Sequence, residues 1–150
     1  RQGWNDHETI VVSGYWPCDA PLPGLWIKAV EFARARNAEI LFEVDANAHS
    51  ELFGAKVNPP VDAGRKNALE EFLTDTLLTP VNRGSKPTWA ARGSCSVIDL
   101  FFASEYLARR LYDYLVHDDV VSFSDHRLVS VTTKATRPEY QKLRNLGKVD

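Results

Sequence analysis

The sequence predicts an α+β domain, and three observations carry that expectation. The first part of the chain alternates strand, helix and strand patterns. From Leu77 onward the pattern breaks into short strands separated by turn residues. The chain has 150 residues, 44% of them hydrophobic and 25% charged, which suits one globular domain with a real core and is too short for two comfortable ones.

Thr9 to Tyr15 is β-branched and apolar and reads as a buried strand. It stops at Trp16-Pro17, and the proline-rich segment to Gly24 must be a loop. Leu25, Trp26, Ala29, Val30, Phe32 and Ala33 recur at helical spacing, opposite Lys28, Glu31, Arg34 and Arg36, so a helix is expected over 25–36. Glu39 to Val44 is the next strand, delivering Asp45 and Asn47 to its tip. Strand, helix, strand suggests neighbouring strands in one sheet with a helix across its face. Residues 46–65 carry Gly54, Pro59, Pro60 and Gly64 and read as irregular. Ala68, Leu69, Phe72 and Leu73 mark a helix over 65–76.

Pro87-Thr88-Trp89 and Ser96 to Phe102 then read as strands, with Gly93-Ser94 turning between them. Tyr106 to Tyr112 reads as a short helix, Tyr114 to Val116 as a strand, and Arg127 to Thr133 as the last strand. The domain is expected to span 1–133. Residues 134–150 carry Lys134, Arg137, Lys142, Arg144 and Lys148 and read as a polar, basic tail or linker. Arg1 at the first position reads as a sign of a fragment or a processed product.

A net charge of -2 excludes a global basic field, so any nucleic-acid contact must rest on local basic residues. No apolar run approaches the roughly 18 residues needed to span a bilayer, and no secretory signal is visible. Cys18 and Cys95 lack metal-site spacing and read as two unpaired thiols of a reducing compartment.

Acidic and imidazole groups stand where strands end. Strand alternation puts Asp45 and Asn47 on one face, where the carboxylate can take a proton or a hard cation and the carboxamide can hydrogen-bond. Asp-x-Asn in a loop is also an ordinary turn pattern. Asp99 lies between Ile98 and Leu100-Phe101, where an unpaired carboxylate is costly. Pairing with His126 of Ser124-Asp125-His126 would remove that cost and fix the imidazole tautomer. The alternatives are that Asp99 caps a turn and that Ser-Asp-His is only a turn before a strand.

Read together, Tyr15 before its Pro-containing loop, Asp45-Ala46-Asn47-Ala48-His49, Pro87-Thr88-Trp89, Ile98-Asp99 and Ser124-Asp125-His126 form an ordered set. The set resembles the endonuclease/exonuclease/phosphatase superfamily, in particular the C-terminal part of the endonuclease domain of non-LTR retrotransposon proteins. Asn47-Ala48-His49 and Phe53-Gly54 favour the retrotransposon branch over repair nucleases. The resemblance implies part of a two-sheet α/β sandwich of DNase I-like fold. It also implies Asp45 as the base acting on water, with Asn47 holding the nucleophile or a phosphate oxygen. His126, held by Asp99, would bond the scissile phosphate. Tyr15 would lie beside the leaving group or phosphate, and Asp125 would sit at or near the metal, which would be Mg2+, or Mn2+ in its place. Thr88 would support the site or contact DNA, and Lys86 and Arg92, with Lys56, Arg65 and Lys66, would contact phosphates.

The family's first half carries an Asn and the main metal-binding Glu, and no counterpart precedes Tyr15 here. An apolar sheet face is therefore expected to be open to a missing half-domain or to another protein chain. The expected function is metal-dependent nicking of DNA, inside the cell and in the nucleus. The alternative is a catalytically inactive remnant that serves as a structural or interaction module. Abasic-site nucleases and lipid or inositol phosphatases of the same superfamily stay open as well.

Overall fold

The computed structural model describes residues 8–55, 63–120 and 123–133. The expected basic tail over 134–150 lies outside the described residues, as does Lys56.

Strand β1 (Thr9–Tyr15) and strand β2 (Glu39–Asp45) pair in parallel, joined by helix α1 (Gly24–Ala35). The sheet is completed by β6 (Asp99–Ser104), antiparallel to β2, and β3 (Leu78–Pro80), antiparallel to β6, giving the order β1-β2-β6-β3. Helix α2 (Ala63–Thr76) joins α1 on one face of this sheet. Strands β4 (Trp89–Ala91) and β5 (Ser94–Ser96) form a separate hairpin. Helix α3 (Glu105–Ala108) and the antiparallel pair β7 (Leu111–Val116) and β8 (Val129–Thr133) pack on the opposite sheet face.

The helix-side core is built on aromatic rings. Trp26, Val30 and Ala33 form the buried stripe of α1, while Leu25 and Phe32 of the expected apolar face are exposed. Phe42 and Phe102, register partners on β2 and β6, stack with centroids 4.9 Å apart. Trp26 sits 5.9 Å from each of them and 5.8 Å from Phe72 of α2. Such offset and edge contacts add to the burial gain of each ring. Gly54, at φ 79, lets the short 3₁₀ turn Glu51–Phe53 lie against the chain at Gly84, where a Cβ would come within 1.8 Å of the Gly84 carbonyl oxygen.

Several expectations are corrected. β1 is an edge strand rather than a buried one: Val11 and Tyr15 are 58% and 60% exposed, because β2 lies on one side only. The hairpin turn is Arg92-Gly93, not Gly93-Ser94; both residues have positive φ, which a two-residue turn of the I′ kind requires. The helix expected over Tyr106 to Tyr112 ends at Ala108, and Leu111 and Tyr112 belong to β7. A bulge at Asp113 (φ 51) interrupts the alternation that would have marked β7 as one strand.

Phe42→Ala removes the centre of the aromatic core and should cost about 3–5 kcal/mol. Domains of this kind have about 5–15 kcal/mol in all, so urea titration should show a large fall in the unfolding midpoint.

Candidate active site

Asp45 ends β2 and Asp99 begins β6, and the two are register partners. Their side chains therefore leave the same sheet face next to each other. His126 is brought to them by a third segment. The Arg127 amide donates to the Thr88 carbonyl at 2.7 Å, and the Ala90 amide donates to the Asp125 carbonyl at 2.9 Å. The loop before β8 is thus pinned along β4, with Trp89 and His126 as bridge partners.

His126 Nδ1 lies 3.0 Å from both oxygens of Asp99. An ionised carboxylate only accepts, so Nδ1 carries the proton and donates it. That orientation turns Nε2 toward Asp45, whose Oδ2 is 3.9 Å away, too far for a hydrogen bond between them. Partial burial, and then the charge of Asp99, push the Asp45 carboxyl above its ordinary value, against opposing effects of the Asn47 amide, His126 and Arg65.

Ligand atoms of Asp45, Asp99 and His126 all lie within 4.8 Å of one another, and this is the one group among the described residues with the makings of a metal site. Mg2+ is commonly held by one or two carboxylates together with substrate phosphate and water. A raised carboxylate beside a second carboxylate is a donor set that a divalent cation would relieve, so the residues fit such an ion.

The remaining expected residues fall as follows. Asn47 lies past the end of β2 in the left-handed region (φ 45), so a turn and not strand alternation places it. Its amide donates to Asp45 Oδ1 at 3.3 Å and its Nδ2 to the Trp16 carbonyl at 3.2 Å. Tyr15 is opposite Asp45 in the β1–β2 register and exposed on that face. Asp125 stands outside the cluster, with its Oδ2 accepting from Trp89 Nε1 at 3.2 Å. Thr88 is fully buried, which replaces a direct DNA contact by support. Its Oγ1 accepts from the amides of Ile98 and Asp99 at 3.1 and 3.0 Å and sets the start of β6.

Among the expected phosphate contacts, Arg92 is exposed at the hairpin tip. Lys86 donates to the Val116 carbonyl and pairs with Asp118 at 2.7 Å. Lys66 pairs with Glu51 at 2.5 Å. Arg65 is buried at 8% exposure in the first turn of α2 and bonded to backbone carbonyls.

A residue the sequence did not flag, Asn82, completes the frame. Asn82 is buried, donates through Nδ2 to the Asp99 carbonyl (3.1 Å) and the Tyr114 hydroxyl (2.8 Å), and accepts from the Phe101 amide (2.7 Å). Burial pushes the Tyr114 phenol up to about 12. His49, which burial holds below its ordinary value, shares a cleft of about 380 Å³ with Cys18, Asn47, Trp89, Cys95 and His126. Both cysteines are free and exposed. No local pattern marks Asn82; only its partners across the sheet give it a role.

With this geometry in place, the relatives fall into line. Residues 9–130 match the profile of the endonuclease–reverse transcriptase family, and the chain belongs to that family. It is similar to the endonuclease domain of TRAS1, a telomere-specific non-LTR retrotransposon, with 27% identity and a TM-score of 0.68 over 82% of this chain. The fold is accordingly that of the DNase I-like endonucleases. The chain spans 56% of that domain's length. The AP endonuclease LMAP from Leishmania major also matches, with 14% identity and a TM-score of 0.48 over 59% of this chain and 33% of its own. No curated protein matches. Among the described residues no helix is long and apolar enough to cross a membrane.

Two predictions follow from the site. Because the folded protein holds the Asp45 proton more tightly than the unfolded chain does, ionising Asp45 costs stability. The cost is absent well below the ordinary value of 3.8 and complete above the raised folded value. Asp45→Asn should therefore melt at a higher temperature than wild type at neutral pH, and calorimetry at falling pH should show the advantage vanish. Thr88→Val leaves two buried amides without their acceptor and should cost about 1–3 kcal/mol in urea unfolding, whereas Thr88→Ser should retain most of the stability.

Proposed function

We propose that this chain carries the acid–base side of a metal-dependent DNA endonuclease that nicks one strand. The observation supporting this most directly is His126, oriented by Asp99 at 3.0 Å with Nε2 facing Asp45 across a 3.9 Å gap. Phosphodiester hydrolysis needs an oriented water, a donor to the charged phosphate and relief for the leaving oxygen. Asp45 orients the water or takes its proton. Asn47, fixed by its turn, holds the nucleophile or a phosphate oxygen. His126 donates from Nε2 to the scissile phosphate while Asp99 supports the imidazolium. Tyr15 stands beside the leaving group, on the face it shares with Asp45. Mg2+, or Mn2+ in its place, would be held by the carboxylates of Asp45 and Asp99 and would supply charge neutralisation at the phosphate. Arg92 at the exposed hairpin tip contacts the DNA backbone, and Lys86 does so to the extent that Asp118 releases it. A protein of this kind works in the nucleus.

A second reading is favoured by the exposed Val11 and Tyr15 on the sheet face. In it the fold serves as an interaction module whose open face is covered by the rest of such a domain or by another protein.

Incubated with supercoiled plasmid and Mg2+, the protein should yield open circles, EDTA should stop the reaction, and His126→Ala should slow it by about 10²–10⁴-fold. Intact plasmid after incubation with folded wild-type protein would overturn the nuclease reading and leave the interaction module.

A further inference from the structure

We infer that Arg65 is a positioning residue of this site: its buried guanidinium clamps the Trp16–Ala20 loop to the Ala46–Asn47 segment and so sets where Asp45 and Asn47 stand relative to His126. For the reaction it serves, the inference rests on the nuclease reading above; for the clamp itself it rests on geometry.

Arg65 occupies the first turn of α2, where a cation opposes the helix dipole. Helix formation therefore does not account for an arginine there. Its acceptors do. Nη1 donates to the carbonyls of Pro17 (2.8 Å), Cys18 (3.0 Å) and Ala20 (3.3 Å). Nη2 donates to those of Trp16 (3.1 Å) and Ala46 (2.8 Å), and Nε to that of Asn47 (3.1 Å). The guanidinium also lies over the Trp16 ring, 3.9 Å from its centroid. Nε, Nη1 and Nη2 thus all donate to two chain segments that follow the tips of β1 and β2.

These segments are walls of the catalytic cleft. Cys18 and Asn47 line it together with His126. Asn47 is bonded from two sides: its carbonyl to Arg65 Nε, and its side chain to the Trp16 carbonyl that Arg65 also holds. A planar, permanently charged fork can satisfy several carbonyls in fixed directions, whereas a lysine ammonium on a flexible stem cannot. The clamp therefore needs the shape of arginine as well as its charge.

The first test uses wild-type protein labelled with 15N. The Arg65 Nε–H should exchange with solvent at least about tenfold more slowly than that of exposed Arg83; equal rates would overturn the clamp. In Arg65→Lys, the amides of Trp16, Ala20 and Asn47 should exchange about tenfold faster while those of α1 stay as in wild type. Unchanged exchange at all of these amides would overturn it. On plasmid, Arg65→Lys should lose about 100-fold in kcat with KM within about threefold of wild type, the signature of misplaced groups. A raised KM at unchanged kcat would overturn positioning in favour of a phosphate contact. Methylguanidinium should restore about tenfold of the lost rate to Arg65→Ala, and methylammonium at the same concentration should not; equal rescue by both would overturn the requirement for shape. If wild-type protein does not nick, the nuclease reading fails on its own, and the exchange measurements still decide the clamp.

Discussion

Asp45 and Asp99 face each other across antiparallel β2 and β6, and the site depends on that register. A slip of either strand by one residue would turn its carboxylate to the opposite face, into the aromatic core under α1 and α2. The core itself enforces the alignment, because Phe42 and Phe102, three positions further into the sheet, stack only in this register. Packing on one face thus fixes chemistry on the other. The arrangement also carries a cost, since burial, and then the adjoining charge of Asp99, raises the Asp45 carboxyl. An imidazole bonded to one carboxylate and turned toward the other offsets part of that repulsion.

Around this pair the protein spends its buried polar groups on backbone. Thr88 fixes the amides that open β6, and Asn82 ties the same strand to Tyr114 of β7. Arg65 gathers the carbonyls behind the tips of β1 and β2. No buried side-chain nitrogen or oxygen among the described residues lacks a partner. In a low-dielectric setting a satisfied network of this kind is rigid, and rigidity is what a site built from loop ends requires.

The face opposite the helices is divided. Over β6, the β7–β8 pair covers Phe101 and Ala103, with Val129 and Val131 packed against them. Over β1, Val11 and Tyr15 remain exposed, and a shallow groove runs past Ser13, Glu43, Asp45 and Arg127. The open part adjoins Asp45 and Asp99, so whatever lies on it is also within reach of the candidate site.

The sequence by itself determined the first strand–helix–strand unit, the second helix and the order of the motifs, because apolar periodicity is local and survives without partners. It also anticipated the Asp99–His126 pair, since a carboxylate inside an apolar strand calls for a partner wherever one is found. Only the tertiary structure decided the rest. Arg65 looked like a loop cation in a charged, glycine-flanked stretch, and its carbonyl partners lie 18 to 49 residues away in sequence. Thr88 read as a strand residue that would support the site or contact DNA, and which amides it accepts from is set by another part of the chain. Leu111 and Tyr112 looked helical because a bulge at Asp113 hid the alternation of β7, which pairing with β8 alone defines. In each case the deciding contact joins distant parts of the chain, and local patterning carries no record of it.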